Sequence, residues 1–241
     1  MNPYPLSYLS LGAGVNSTGM LIYLLTQTQW RGPIVHSDTG CELPETYQFL
    51  EHLRPWVQQH GLDILTLPRK YYSQRVQASA TLYHYAWDNA MLPLRTARWC
   101  TTEYKIRPLK RYMLDMHLHA ALIGISTDEA HRANHERYWL QYPLLNAGLS
   151  RTDCLTLIAE QSLPKPDHSH CWLCPLMALP EWRHIYDHHP HLFERSIELE
   201  DHVSQVHNKQ AILAPSGTRD LRTLAARFAA EDLAPRQCTM L

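Results

Sequence analysis

Ser10-Leu11-Gly12-Ala13-Gly14-Val15-Asn16-Ser17-Thr18 follows a mostly apolar run and precedes Met20-Leu21-Ile22-Tyr23-Leu24-Leu25. Small residues between a buried strand and a helix let a backbone approach a ligand, and the unpaired N–H groups of a helix start favour an anion. The stretch reads as a phosphate-binding loop. No Gly-Lys-Ser/Thr follows it, so it is not the common P-loop, and Gly12 and Gly14 lack the third glycine of a dinucleotide fingerprint. The alternative is a plain strand-to-helix turn capped by Asn16 or Ser17.

Around this loop, Leu6 to Leu11 reads as a first strand and Ser17 to Gln27 as a helix apolar on both faces. Pro33 to His36 gives a second strand ending in the polar turn Ser37-Asp38-Thr39-Gly40. Pro44 can open a helix in which Tyr47, Leu50, Leu53 and Val57 recur at helical spacing until Gly61, with Pro55 a point for a kink. Leu62 to Leu67 is a third strand. A fourth, His119 to Ser126, ends in a charged turn, Thr127 to Arg132. This alternation predicts an α/β fold: a Rossmann-like parallel sheet with helices on both faces. Ligands of such sheets bind at polar turns beyond the strands' carboxyl ends.

Residues 69–112 break the rhythm and read as helices and loops over that cleft. Thr152 to Gln161 reads as a further helix, and Pro164-Lys165-Pro166 as a linker. Glu181 to His188, Leu192 to Val206 and Thr218 to Ala230 then give a mainly helical C-terminal part. The expected division is a nucleotide-binding α/β domain over 1–165 and a helical, cysteine-containing segment over 166–241. A tail without periodicity follows Ala234.

The chain has 241 residues, 45% hydrophobic and 19% charged, a composition that argues for a compact globular domain and against extensive disorder. Its net charge of −1 gives no global basic field for nucleic acid, so any such contact must be local. No basic leader and no apolar run of membrane-spanning length occur, and a cytoplasmic protein with no membrane partner is expected. In that compartment the six cysteines are candidates for metal or catalysis, with a secreted disulfide protein as the alternative.

Four motifs in order resemble the phosphoadenosine-phosphosulfate reductase family, within the wider adenine-nucleotide α-hydrolase and ATP-pyrophosphatase group. Gly12-Ala13-Gly14-Val15-Asn16-Ser17-Thr18 stands where that family has Ser-Gly-Gly-x-Asp-Ser. Asp38-Thr39-Gly40, followed by Pro44-Glu45-Thr46, matches its Asp-Thr-Gly and Pro-Glu-Thr. Cys100 to Leu109 resembles its cysteine, lysine and proline-leucine stretch, and Gly124 to Arg132 its Gly-x-Arg-x-x-Glu-x-x-Arg strand end. The resemblance spans roughly residues 5 to 178. It implies ATP or a related adenine nucleotide, held by Gly12, Ala13, Gly14, Asn16, Ser17, Thr18, Asp38, Thr39 and Gly40. Lys105, Arg107 and Arg132 would be the electrostatic complement of the phosphates. Asn16 stands in place of an aspartate, which bears on any accompanying magnesium.

Cys171-Trp172-Leu173-Cys174 has a spacing that lets two sulfurs face one metal. With Cys100 and Cys154 it makes four thiols, the number for a [4Fe–4S] cluster, and some members of the family that reduce adenosine phosphosulfate bind such a cluster. Zinc held by Cys171, Cys174 and His168 or His170 is the competing reading, and no metal at all remains open. The run His188-His189-Pro190-His191 reads as surface, because the proline interrupts a shared helical face. Cys238 occupies the place of the reductases' terminal nucleophile, yet lacks their Glu-Cys-Gly context.

Three functions follow from the resemblance. The first is an ATP pyrophosphatase that adenylates an acceptor and, with a sulfur donor, places sulfur in a nucleic acid. The second is a sulfonucleotide reductase using Cys238. The third is a non-catalytic nucleotide-binding module.

Overall fold

The computed structural model describes residues 2–167 and 169–233. In chain order the first elements are β1 Ser7–Ser10, α1 Val15–Gln27, β2 Ile34–His36, α2 Pro44–Gln59, β3 Ile64–Thr66, α3 Gln74–Ala78, α4 Leu82–Asp88 and α5 Trp99–Thr101. A π-helical stretch, Thr102–Ile106, runs into α6 Arg107–Asp115. There follow β4 Ala120–Leu122, β5 Leu140–Gln141, α7 Pro143–Asn146, α8 Arg151–Glu160, α9 Leu179–His188, α10 Pro190–His207 and α11 Leu221–Leu233.

The chain forms two compact units, one of residues 1–77 and 101–170, the other of 78–100 and 171–241. Residues 78–100 thus group with the C-terminal helices and leave the stretch that surrounds them in sequence.

The first unit holds a five-stranded sheet in the order β3-β2-β1-β4-β5, with every pairing parallel. Alternate side chains face opposite layers. Leu9, Ile34, Ile64 and Leu122 join the core built with α1, α2 and α8. Tyr8 faces the other side and meets Tyr112 of α6 edge-on at 5.9 Å between ring centres. Helices therefore cover both faces, as the alternation of strand and helix requires. α1 is buried nearly all round, with Met20, Leu21, Ile22 and Leu24 at 0% exposure, which explains its lack of a polar stripe. Pro55 lies inside α2 and does not end it.

Strand order reverses between β1 and β4, which leaves a crevice beyond their carboxyl ends. β4 is shorter than its apolar run. A Cβ on Gly124 would come within 2.8 Å of Ser17 Cα, so the chain leaves the sheet here to pass against the first turn of α1.

The second unit is helical and packs aromatic rings: Trp182 against Phe193 at 5.9 Å and Tyr186 against Phe228 at 5.3 Å. Glu200, 2% exposed, accepts backbone hydrogen bonds from Leu213 at 2.6 Å, Ala214 at 3.2 Å and Leu221 at 2.7 Å. One carboxylate thereby fixes the turn that leads into α11.

Candidate nucleotide site

The loop after β1 turns through Ala13, whose φ of +57° is a left-handed conformation that costs an L-residue about 1–2 kcal/mol. Gly14 is the N-cap of α1, and the first intrahelical bond runs from Thr18 N to Gly14 O at 3.0 Å. The amides of Val15, Asn16 and Ser17 precede that bond, as the opening amides of a helix must. Ser17 Oγ accepts from Gly14 N at 3.2 Å and donates back to Gly14 O at 3.1 Å, which holds the turn closed. Thr18 is fully buried, its hydroxyl without a hydrogen-bond partner among the described residues. A Cβ on Gly14 would meet Ser169 Oγ at 2.4 Å. The segment that leads to the Cys-x-x-Cys therefore lies directly on the loop, and Leu43 N also donates to His170 O at 3.3 Å.

Asn16 is 7% exposed and joins the turns after β1 and β4. Its Nδ2 donates to Ser126 Oγ at 3.1 Å and to Glu129 Oε2 at 3.0 Å, while Arg151 donates to its Oδ1 at 3.5 Å. An amide suits this position because it both donates and accepts, whereas an ionised aspartate accepts alone and would oppose Glu129. Glu129 also pairs with Arg132 at 2.5 Å. Asn16, one of the departures from the loop of the family that the sequence resembles, is thus fitted to its surroundings.

At the end of β2, Asp38 Oδ1 accepts from Gly40 N and from Tyr47 Oη, each at 2.8 Å. Burial, and then the Asp38 charge, push the Tyr47 phenol well above its usual range, so it stays a donor. Thr39 Oγ1 donates to the buried Glu42 at 3.2 Å, and Glu42 pairs with Lys105 at 3.4 Å. Lys105 lies in the π-helical stretch, a distortion that often marks functional sites. Ser37 Oγ ties that stretch to β2 by donating to Tyr104 O at 2.5 Å. Arg107 opens α6 and pairs with Glu103. His36 donates through Nδ1 to Leu11 O at 3.0 Å, and its buried Nε2 has no partner among the described residues.

Lys105, in the π-helical stretch, and Arg132, in the turn after β4, are thus each paired with a carboxylate. Arg151, Ser169 and His36 carry no local signal in the sequence, and Ser126 and Glu129 were visible only as part of the strand end Gly124 to Arg132. The charged turn after β4 was visible, but the hydrogen bonds that join it to Asn16 span more than a hundred residues.

Among the described residues the five cysteines, Cys41, Cys100, Cys154, Cys171 and Cys174, form no disulfide. Cys100, Cys171 and Cys174 belong to the second unit and are half-buried. Cys174 N donates to Cys171 O at 3.0 Å, a turn that brings the pair round, and Arg95 donates to Pro175 O at 3.4 Å, which ties the approach to Cys100 to the same turn. Cys154 belongs to the first unit and is fully buried in its apolar core. A Cβ on Gly19 of α1 would lie 2.4 Å from Cys154 Cβ, and burial pushes the thiol up to about 11. His168 and Cys238 lie outside the described residues.

No helix among the described residues is long and apolar enough to cross a membrane. No curated protein matches the chain. The family model of the phosphoadenosine phosphosulfate reductase domain matches residues 7–178, which takes in the whole sheet, every turn of the crevice and the Cys-x-x-Cys. With that match over more than two thirds of its length, the chain belongs to the phosphoadenosine phosphosulfate reductase domain family, within the adenine-nucleotide α-hydrolase-like superfamily.

Proposed function

We propose that this protein binds an adenine nucleotide with its phosphates over Gly12 to Thr18 and activates an acceptor by adenylation. The observation that carries the reading is the first turn of α1, whose amides open at the point where strand order reverses, between the loops held by Asn16 and Ser169. In adenylation an acceptor oxygen attacks the α-phosphorus, the α–β anhydride bond breaks and pyrophosphate leaves. A sulfur nucleophile from a donor then displaces AMP, and a nucleobase, tRNA or DNA backbone is the acceptor class. The residues of this chain orient the phosphates through amides. Lys105 and Arg132 supply charge by exchanging their carboxylate partners for phosphate oxygens, and Arg107 does so from the start of α6.

Cys100, Cys171 and Cys174 share one unit and are partly accessible, which makes them the candidate ligands of an iron–sulfur cluster. Cys154 fits poorly, since it is fully buried in the apolar core of the first unit. We therefore assign an iron–sulfur cluster to three thiolates, an arrangement that supplies an iron open to an exogenous ligand. Purified without oxygen, the wild type is expected to be brown and to contain sulfide. Cys171→Ala and Cys174→Ala lose both, and Cys154→Ala keeps them. A colourless preparation with zinc and no sulfide rules the cluster out.

The family's description favours a second reading, reduction of a sulfonucleotide. There the Cys238 thiolate attacks the sulfonucleotide's sulfur, the S–O bond to the nucleotide phosphate breaks, and a second thiol frees sulfite. Incubation with ATP and with a sulfonucleotide separates the two. Pyrophosphate release that persists in Cys238→Ser supports adenylation. Sulfite release abolished in Cys238→Ser overturns it.

A further inference from the structure

Three histidines gather where α9 ends. His184 and His188 stand four residues apart on one face of that helix, the spacing at which two imidazoles reach one ion, and their rings stack with centres 4.6 Å apart. His189, the C-cap residue, turns back so that its ring centre lies 5.7 Å from that of His184. Ligand nitrogens of His184 and His189 lie within 4.8 Å of one another.

His188 Nδ1 donates to His184 O at 3.1 Å. A carbonyl accepts only, so Nδ1 carries the proton and Nε2 keeps its lone pair, the arrangement that prepares a histidine to ligate metal. The end of α9 adds the partial negative charge of its last carbonyls, which favours a cation. Arg183, the nearest cation in sequence, is engaged by Asp187 at 2.8 Å and by Asp232. His188 is exposed and the other two rings are half-buried, so an ion reaches them from solvent. Pro190 breaks the run that follows, but the pair at 184 and 188 precedes it on unbroken helix.

We propose that His184, His188 and His189 form a site for a late first-row divalent ion, of the class of Ni2+, Cu2+ or Zn2+, for which imidazole is a preferred ligand. The site belongs to the second unit and uses none of the cysteines. Turning the His188 ring out of its stack on His184 would bring its nitrogen to the ion beside those of His184 and His189.

Equilibrium dialysis of the full chain against Ni2+ tests this. The wild type is expected to bind one more equivalent than His184→Ala or His188→Ala, or to hold that equivalent at least about tenfold more tightly. Cys171→Ser is expected to keep it. His188→Ala removes an exposed ring, and an unchanged circular dichroism spectrum confirms its fold. Equal stoichiometry and affinity in the wild type and both histidine variants, or loss of the equivalent in Cys171→Ser, overturns the proposal.

Discussion

Asn16 shows how one atom changes the meaning of a loop. In Asn16→Asp an oxygen replaces the Nδ2 that serves Ser126 and Glu129, so two acceptors lose their donor and a second negative charge faces the first. Stability is expected to fall by about 1–3 kcal/mol, the range for stranding a buried polar partner. Denaturant unfolding of both forms checks it, and an unchanged midpoint refutes the bridge. Cys154 gives a pH dependence. Burial raises its thiol from 9.0 to about 11, so the folded chain holds that proton more tightly than the unfolded one. This contribution is fully present below pH 9 and is lost as pH rises through about 11. Cys154→Ala is expected to flatten the fall in melting temperature over that interval, and an identical slope contradicts the assignment.

The elements differ in how plainly the sequence announces them. α2 carries an apolar periodicity, α1 an apolar run and α8 a capping residue at its start, and the sequence places all three to within two residues of their observed ends. β5 is two residues, Leu140–Gln141, too short for alternation to show, and is specified by its pairing with Ala121 and Leu122. The π-helical stretch leaves no mark on Thr102–Ile106, because Ser37 and Tyr72 fix it from distant parts of the chain. In the site, the glycines and the Asp38 turn were legible as local chemistry, while the approach of Ser169 to Gly14 is purely tertiary. Glu200 is likewise invisible as a glutamate in a helical pattern, yet it organises the entry to α11 with three backbone donors. Glu200→Gln turns one acceptor into a donor aimed at an N–H, and should destabilise the protein by about 1–3 kcal/mol in a denaturant titration. Burial outweighs those donors and raises this carboxyl above its ordinary value. Its ionisation therefore weakens the fold as pH rises through the window just above that value.

At the scale of the whole molecule, one unit carries the sheet and its crevice and the other carries aromatic packing, three accessible thiols and the histidine cluster. In the proposed function the first turn of α1 holds the phosphates of an adenine nucleotide. Calorimetric titration of the full chain with ATP and with AMP, on the wild type and on Gly14→Val, tests it most directly. A side chain at position 14 meets Ser169 at 2.4 Å and fills the space beside the α1 amides. Saturable binding of one nucleotide to the wild type is expected, with at least about tenfold weaker binding to a Gly14→Val protein of unchanged circular dichroism, where tenfold is about 1.4 kcal/mol. Equal affinity in the two folded proteins would contradict it.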